Sequence, residues 1–117
     1  MTLQRMDNVL IVVDDLEAAK AFFAELGMEL EDETTVEGPS VDRLIGLQNV
    51  RATLALMRTP DGHGRIELDK FHTPSAVRTG PENVPVNALG ISPATLATFY
   101  YALNTRREWK RRAFWAI

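Results

Sequence analysis

The apolar positions near the start of the chain change from a strand pattern to a helix pattern. Residues 8–13 read NVLIVV, with both alternating sets of positions largely apolar, as in a strand covered on two faces. Asp14 follows as the predicted N-cap, and Glu17 three residues later completes a variant of the capping box. Apolar residues then recur at helical spacing before Gly27, a suitable C′ residue: Leu16, Ala19, Phe22, Phe23 and Leu26.

Three later segments have strand-like patterns, so the predicted order is β-α-β-β-β. Residues 28–36 carry a few apolar side chains among many acids, as in an exposed edge strand. Residues 50–57 alternate between the set Ala52, Leu54, Leu56 and the set Thr53, Ala55, Met57. Residues 59–62 predict a turn, and in residues 65–71 Ile66 and Leu68 are expected to face the core with Glu67 opposite. Residues 41–47 are compatible with one helical turn.

The rest of the chain has a different organisation. Residues 72–87 contain three prolines and a glycine, which indicates a linker, and residues 86–91 are compatible with a short strand. Ser92 and Pro93 are a plausible N-cap and first helical residue. A second capping box at Thr105 and Glu108 predicts that the helix breaks and restarts.

Size and composition indicate a single globular domain. The chain has 117 residues, of which 45% are hydrophobic and 25% are charged, so it is not expected to be disordered. It has no cysteine, which excludes disulfides, thiolate metal ligands and a cysteine nucleophile. The first eight residues lack a signal-peptide pattern, so we expect a cytoplasmic protein.

The charge is unevenly distributed along the chain. Residues 1–104 carry 8 Lys and Arg against 15 Asp and Glu, whereas residues 105–117 carry 5 against 1. The basic, Trp-containing end could suit nucleic acid or an acidic membrane, but docking on the protein's own acidic surface is at least as good an interpretation. Residues 84–105 are uncharged, yet their prolines and polar residues favour a packed helix over a membrane span. We therefore expect no nucleic-acid or membrane partner.

The run NVLIVVDDLEAAKAFFAELG, the turn PDGHG and the strand RIEL together resemble the vicinal oxygen chelate superfamily. This superfamily includes glyoxalase I, bleomycin-resistance proteins, extradiol dioxygenases and methylmalonyl-CoA epimerase. The resemblance covers about residues 3–73 and implies one α+β module of βαβββ type. In the family, two such modules pair to form a cup, in which four side chains often hold a divalent metal.

The resemblance places the two ligand positions of this module on Asn8 and Glu67. Glu67 is the residue type that metal-binding members use, whereas Asn8 stands where His, Glu or Gln is usual. A neutral amide is a weak ligand, so the implied cofactor is either a divalent metal (Mn, Ni, Zn, Fe or Mg) or none. The expected ligand position of a second module falls on or near Pro93, which cannot bind a metal.

The chain is too short for a complete second module of this type. After Ile91 only 26 residues remain, and no second strand-helix run containing DDL follows. We therefore predict a βαβββ module in residues 1–73, a linker and short strand in residues 74–91, and a truncated or replaced second module in residues 92–117. A single module supplies half a cup, so we expect a homodimer.

Each candidate site residue also has a structural interpretation. Glu67 could bind a metal or act as a general base, or it could be a solvated strand carboxylate. Asn8 would share the cup with it, or be a polar residue at a strand start that hydrogen-bonds to the backbone. Thr53 and Met57 would give the cup an adaptable floor, or belong to the core. His72 could reach into the cup mouth and Arg43 could meet an anionic substrate, whereas His63 is better interpreted as a surface residue.

These observations predict a small-molecule-handling protein with its site in a cup between two modules of a dimer. As an enzyme it would be a metal-dependent lyase, isomerase or dioxygenase. The alternatives are a metal-free, drug-sequestering binding protein of the resistance type and a truncated, inactive relic.

Overall fold

The structure, a computed structural model, describes residues 1–80 and Asn87. The predicted order of elements is confirmed, and the segment Pro39–Ile45, close to the predicted helical turn at residues 41–47, is a helix. In chain order the elements are β1 (Val9–Val12), α1 (Leu16–Glu25), β2 (Glu29–Glu37), α2 (Pro39–Ile45), β3 (Arg51–Arg58) and β4 (Arg65–Thr73).

The four strands form one sheet in the order β1-β4-β3-β2. β1 pairs with β4 in parallel, and the other two pairings are antiparallel. The interpretation of β2 as an edge strand is confirmed. β1 is the opposite edge, and the prediction that it is covered on both faces is wrong, because Leu10 and Val12 are 53% and 44% exposed. Both faces of β1 are apolar, but α1 covers only one of them.

Helix α1 begins one residue later than the sequence pattern predicts. The N-cap is Asp15, whose side chain accepts a hydrogen bond from the Ala18 N–H at 3.0 Å. The prediction of Asp14 as the cap in a capping box with Glu17 is therefore wrong, because the adjacent aspartate performs this role. Gly27 ends the helix as predicted, with a φ of 94° that a side chain would disfavour.

The core lies between α1 and one face of the sheet. The predicted helix stripe is confirmed: Leu16, Ala19, Phe22 and Phe23 are buried and Leu26 is partly buried. Phe22 and Phe23 meet edge to face, with ring centroids 5.1 Å apart. The sheet supplies the opposing buried side chains, which are Ala55, Met57 and Leu68.

Glycine and proline fix the two sharp changes of chain direction after β2 and β3. Gly38, at a φ of 108°, precedes Pro39 at the start of α2. The predicted turn after β3 is confirmed, since the Gly62 N–H donates to the Thr59 carbonyl at 2.8 Å.

The predicted short strand at residues 86–91, the helix after Ser92 and the basic end lie outside the described residues, apart from Asn87. Within residues 1–80 and 87, no helix has the length and hydropathy needed to cross a membrane.

Packing of α1 yields a first prediction. Phe22 is 4% exposed, so Phe22→Ala should lower the free energy of unfolding by about 3–5 kcal/mol through lost burial and a cavity. Leu44→Ala, at an 87% exposed position, serves as the control and should change it by less than about 0.5 kcal/mol. Urea denaturation measures both, and a loss below about 1 kcal/mol for Phe22→Ala would contradict this packing.

Candidate functional site

The sheet face opposite α1 carries the candidate polar residues. Leu68 is buried against α1, so its neighbours Glu67 and Asp69 point to the other side of β4. Strand register places β1 and β3 residues beside them on the same side. We call this surface the open face, and it consists of Asn8, Leu10, Val12, Leu54, Leu56, Arg65, Glu67 and Asp69.

Asn8 and Glu67, which are 59 positions apart, meet on the open face. The Asn8 Nδ2 donates to Glu67 Oε2 at 2.5 Å. Parallel pairing produces this contact, because Leu10 lies beside Glu67 and Asn8 precedes it by two residues on the same strand face. Glu67 is half-buried and lies between Leu10 and Leu56 in the sheet. A half-buried carboxylate held by an amide donor can accept a proton or bind a cation.

Asp69 is a site residue that the sequence pattern did not single out. It is 4% exposed, and its Oδ1 has no hydrogen-bond partner among the described residues. Burial, together with the charge of Glu67 and a hydrogen bond to it, raises the pKa of Asp69 to about 7. Its position two residues after Glu67 on the same side of β4 was the available signal.

Three predicted cup residues lie on the wrong face of the sheet. Met57 is 1% exposed and packs in the core under α1, so the prediction that it forms a cup floor is wrong. Thr53 shares this face by alternation, and its hydroxyl contacts His72 Nε2 at 2.8 Å. The structure thus does not bring Thr53 and His72 to Asn8 and Glu67. Both faces of β3 are rich in apolar residues, so alternation alone did not show which one α1 covers.

Arg43 lies away from Glu67, and His63 lies in an exposed turn. Arg43 is exposed on α2, which packs against β2 at the opposite sheet edge from β1. The structure thus does not bring Arg43 to Asn8 and Glu67. His63 is exposed in the turn after β3, as the sequence interpretation favoured.

Two pockets adjoin the open face. One, of about 300 Å³, includes Arg65 in its lining together with Arg5 and His63. The other, of about 260 Å³, includes Val12, Val77 and Arg78. Since Val12 and Arg65 belong to the open face, small-molecule-sized spaces lie at its two ends.

The donor set suits a hard cation only in part. Residues 1–80 and 87 contain no cluster of three His, Cys, Asp or Glu side chains with metal-binding geometry. Glu67 offers carboxylate oxygens, while Asn8 turns its N–H toward Glu67. These oxygen donors fit half of a site for a cation such as Mg²⁺ or Mn²⁺, and they lack the imidazoles that Zn²⁺ and Ni²⁺ favour.

The buried Asp69 predicts a pH dependence of stability. Its pKa is raised above the ordinary 3.8, so the folded state binds the extra proton and stability should fall as pH rises from about 4 through about 7. Asp69→Asn should remove this fall, on the order of 2–4 kcal/mol. Urea denaturation between pH 4 and pH 8 measures the difference, and parallel curves for the two proteins would contradict the assignment.

Comparisons with known proteins identify the family. A sequence model of the glyoxalase/bleomycin resistance protein/dioxygenase superfamily matches residues 5–114, which extends beyond the motif-based resemblance at about residues 3–73. A crystal structure of a glyoxalase family protein from Bacillus cereus is similar, with 47% sequence identity and a TM-score of 0.71. The similarity covers 78% of this chain but only 60% of that protein. A search of curated proteins found no match. With its α+β module and this match, the chain belongs to the glyoxalase/bleomycin resistance protein/dioxygenase superfamily.

Proposed function

We propose that this chain handles a small molecule on the open face, with Glu67 as the central polar group of the site. The observation that carries the proposal is the hydrogen bond from Asn8 to Glu67 at 2.5 Å, on a face that α1 leaves uncovered. Apolar side chains from both neighbouring strands surround this pair. An apolar surface with a few convergent polar groups is typical of ligand sites.

A second copy of the chain would supply the opposite wall of the cup. Leu10 and Val12 are 53% and 44% exposed at a sheet edge, and burying them against a partner would be favourable. The superfamily commonly builds its cup from two modules, and we assign one module to residues 1–73. In this proposal residues 74–91 are a linker and residues 92–117 a truncated or replaced second module.

In the enzymatic form of the proposal, Glu67 would bind a divalent metal or accept a proton from the substrate. A bound metal would act as a Lewis acid on a substrate oxygen. Asn8 orients the Glu67 carboxylate, and the apolar neighbours exclude water from it. This arrangement suits a lyase, an isomerase or a dioxygenase. In such enzymes the carboxylate would accept a substrate proton, or help to hold a metal that binds two substrate oxygens.

A second candidate is a metal-free binding protein of the resistance type. It is supported by the same hydrogen bond, because the Asn8 amide already satisfies one oxygen of Glu67 without a metal. Leu10, Val12, Leu54 and Leu56 would then bind an apolar ligand, and the pockets at the ends of the face would admit its polar groups.

The proposal predicts a dimer. Light scattering at low micromolar concentration should give about twice the chain mass of 13.1 kDa. Leu10→Glu, which places a charge on the exposed apolar edge, should weaken the dimer, while Leu44→Glu at an exposed position on α2 should not. A stably folded wild-type monomer at this concentration would contradict the proposal.

Metal titration separates the enzymatic form from the metal-free form. In a dimer two Glu67 carboxylates would face one cup, and a divalent cation would relieve their repulsion. A metal at about 100 times its Kd should then stabilise the folded state by about 2.7 kcal/mol, and Glu67→Gln should abolish this gain.

Calorimetric titration and thermal unfolding with Mn²⁺, Ni²⁺, Zn²⁺ and Mg²⁺ measure both effects. Glu37→Gln, on β2 with its side chain 66% exposed, controls for the loss of one negative charge. If no metal binds the wild type and Glu67→Gln unfolds like it, the metal-dependent form is contradicted and the metal-free form stands.

A further inference from the structure

The pocket of about 260 Å³ at the end of β1 combines apolar and charged side chains in its lining. Val12 is 44% exposed at the last position of β1, and Val77 is 81% exposed in the segment after β4. The charged side chains of the lining are those of Asp14 and Arg78. Since Val12 also belongs to the open face, the pocket is continuous with the proposed site.

Asp14 holds Arg78 beside this pocket through an exposed ion pair. The Arg78 Nη2 donates to Asp14 Oδ2 at 3.0 Å, although the two residues are 64 positions apart. Their side chains are 71% and 60% exposed, so water competes for this contact and the pair adds little to stability. The ion pair can therefore open at small cost in free energy, which makes the guanidinium available to another anion.

Among the described residues, positive charge exceeds negative charge around Asp14. Lys70 donates to the Asp14 carbonyl, and its Nζ lies 4.0 Å from the Asp14 carboxylate. The next two acids along the chain have partners of their own, because Asp15 caps α1 and Glu17 forms an ion pair within α1 at 2.7 Å. Lys70 and Arg78 thus share one carboxylate, and the balance is one positive charge.

We propose that this pocket binds the anionic group of an apolar ligand, with Arg78 exchanging its contact with Asp14 for one with the ligand's carboxylate. The planar guanidinium matches a carboxylate with two parallel N–H donors. Val12 and Val77 contact the apolar body of the ligand, which continues onto the open face. This inference rests on the proposed use of the open face and adds the ligand class to it, namely apolar carboxylic acids.

The test compares naphthoate with naphthamide, a neutral molecule of nearly the same size and shape, by fluorescence titration of the whole chain. We expect the wild type to bind naphthoate about fivefold more tightly, since the contact of an exposed arginine with a carboxylate is modest. Arg78→Gln should abolish this preference without changing the affinity for naphthamide, and Arg78→Lys should retain part of it. Arg43→Gln, at an exposed arginine on α2, is the matched control and should keep the full preference.

Asp14→Asn is expected to change the affinity in the opposite direction. Because Asp15 is the N-cap, this variant keeps the cap of α1. Loss of the competing carboxylate should tighten naphthoate binding about two- to threefold and leave naphthamide binding unchanged. If Asp14→Asn instead weakens naphthoate binding as much as Arg78→Gln does, the ion pair serves only to hold the segment after β4, and the direct role of Arg78 is overturned.

Val12→Ser separates this inference from the proposed function. Loss of apolar contact at Val12 should weaken both probes by the same factor. Circular dichroism establishes that each variant is folded, and Val12→Thr replaces Val12→Ser if the latter does not fold. Equal affinity of the wild type for the two probes, lowered by the Val12 variant, would overturn the anionic site and leave the open face as a ligand site. If neither probe binds, or if the Val12 variant leaves both affinities unchanged, this inference and the use of the open face are both contradicted.

Discussion

A single helix of ten residues can cover only one face of a four-stranded sheet, and this one-sided cover determines the rest of the described structure. Phe22 and Phe23 of α1 pack over Met57 and Leu68, and that side becomes the core. The other side of the same strands keeps Leu10 and Val12 exposed at the edge. Burial of an apolar stripe therefore decides which side chains remain available for a ligand.

Strand β4 connects the core to the candidate site. It pairs with β1 on one side and β3 on the other, and its residues alternate between the two faces. With Leu68 fixed under α1, Glu67 and Asp69 must lie on the open face, since a slip by one residue would exchange them with Leu68. The packing free energy of Leu68 thus also holds the two carboxylates together, against their mutual repulsion.

The sequence was sufficient to predict the features that depend on local pattern. Periodicity predicts the buried residues of α1 and the side of β4 on which Glu67 lies. Turn chemistry predicts the end of α1 at Gly27 and the turn at Thr59 and Gly62. The family motif added Asn8 as the partner of Glu67.

Features that depend on long-range pairing could not be predicted in this way. Both faces of β3 are apolar enough to be core. Met57 and Thr53 were therefore both assigned to the face opposite α1, although they lie on the face that α1 covers. Two consecutive aspartates could each cap α1, and only the structure distinguishes Asp15 from Asp14. Asp69 lies between Val12 of β1 and Leu54 of β3, which are distant in the chain, so its surroundings depend on long-range pairing.

In the proposed function, the open face is the inner wall of a cup that a second copy of the chain closes. Because the chain has no cysteine, Leu10→Cys introduces a single thiol on this face, and Leu44→Cys provides the exposed control. The rate of thiol modification, measured across a dilution series, tests the claim directly. If a second copy closes the cup, the thiol at position 10 is protected at micromolar concentration and becomes reactive on dilution, while that at position 44 reacts at one rate throughout. Equal, concentration-independent reactivity at both positions would contradict it.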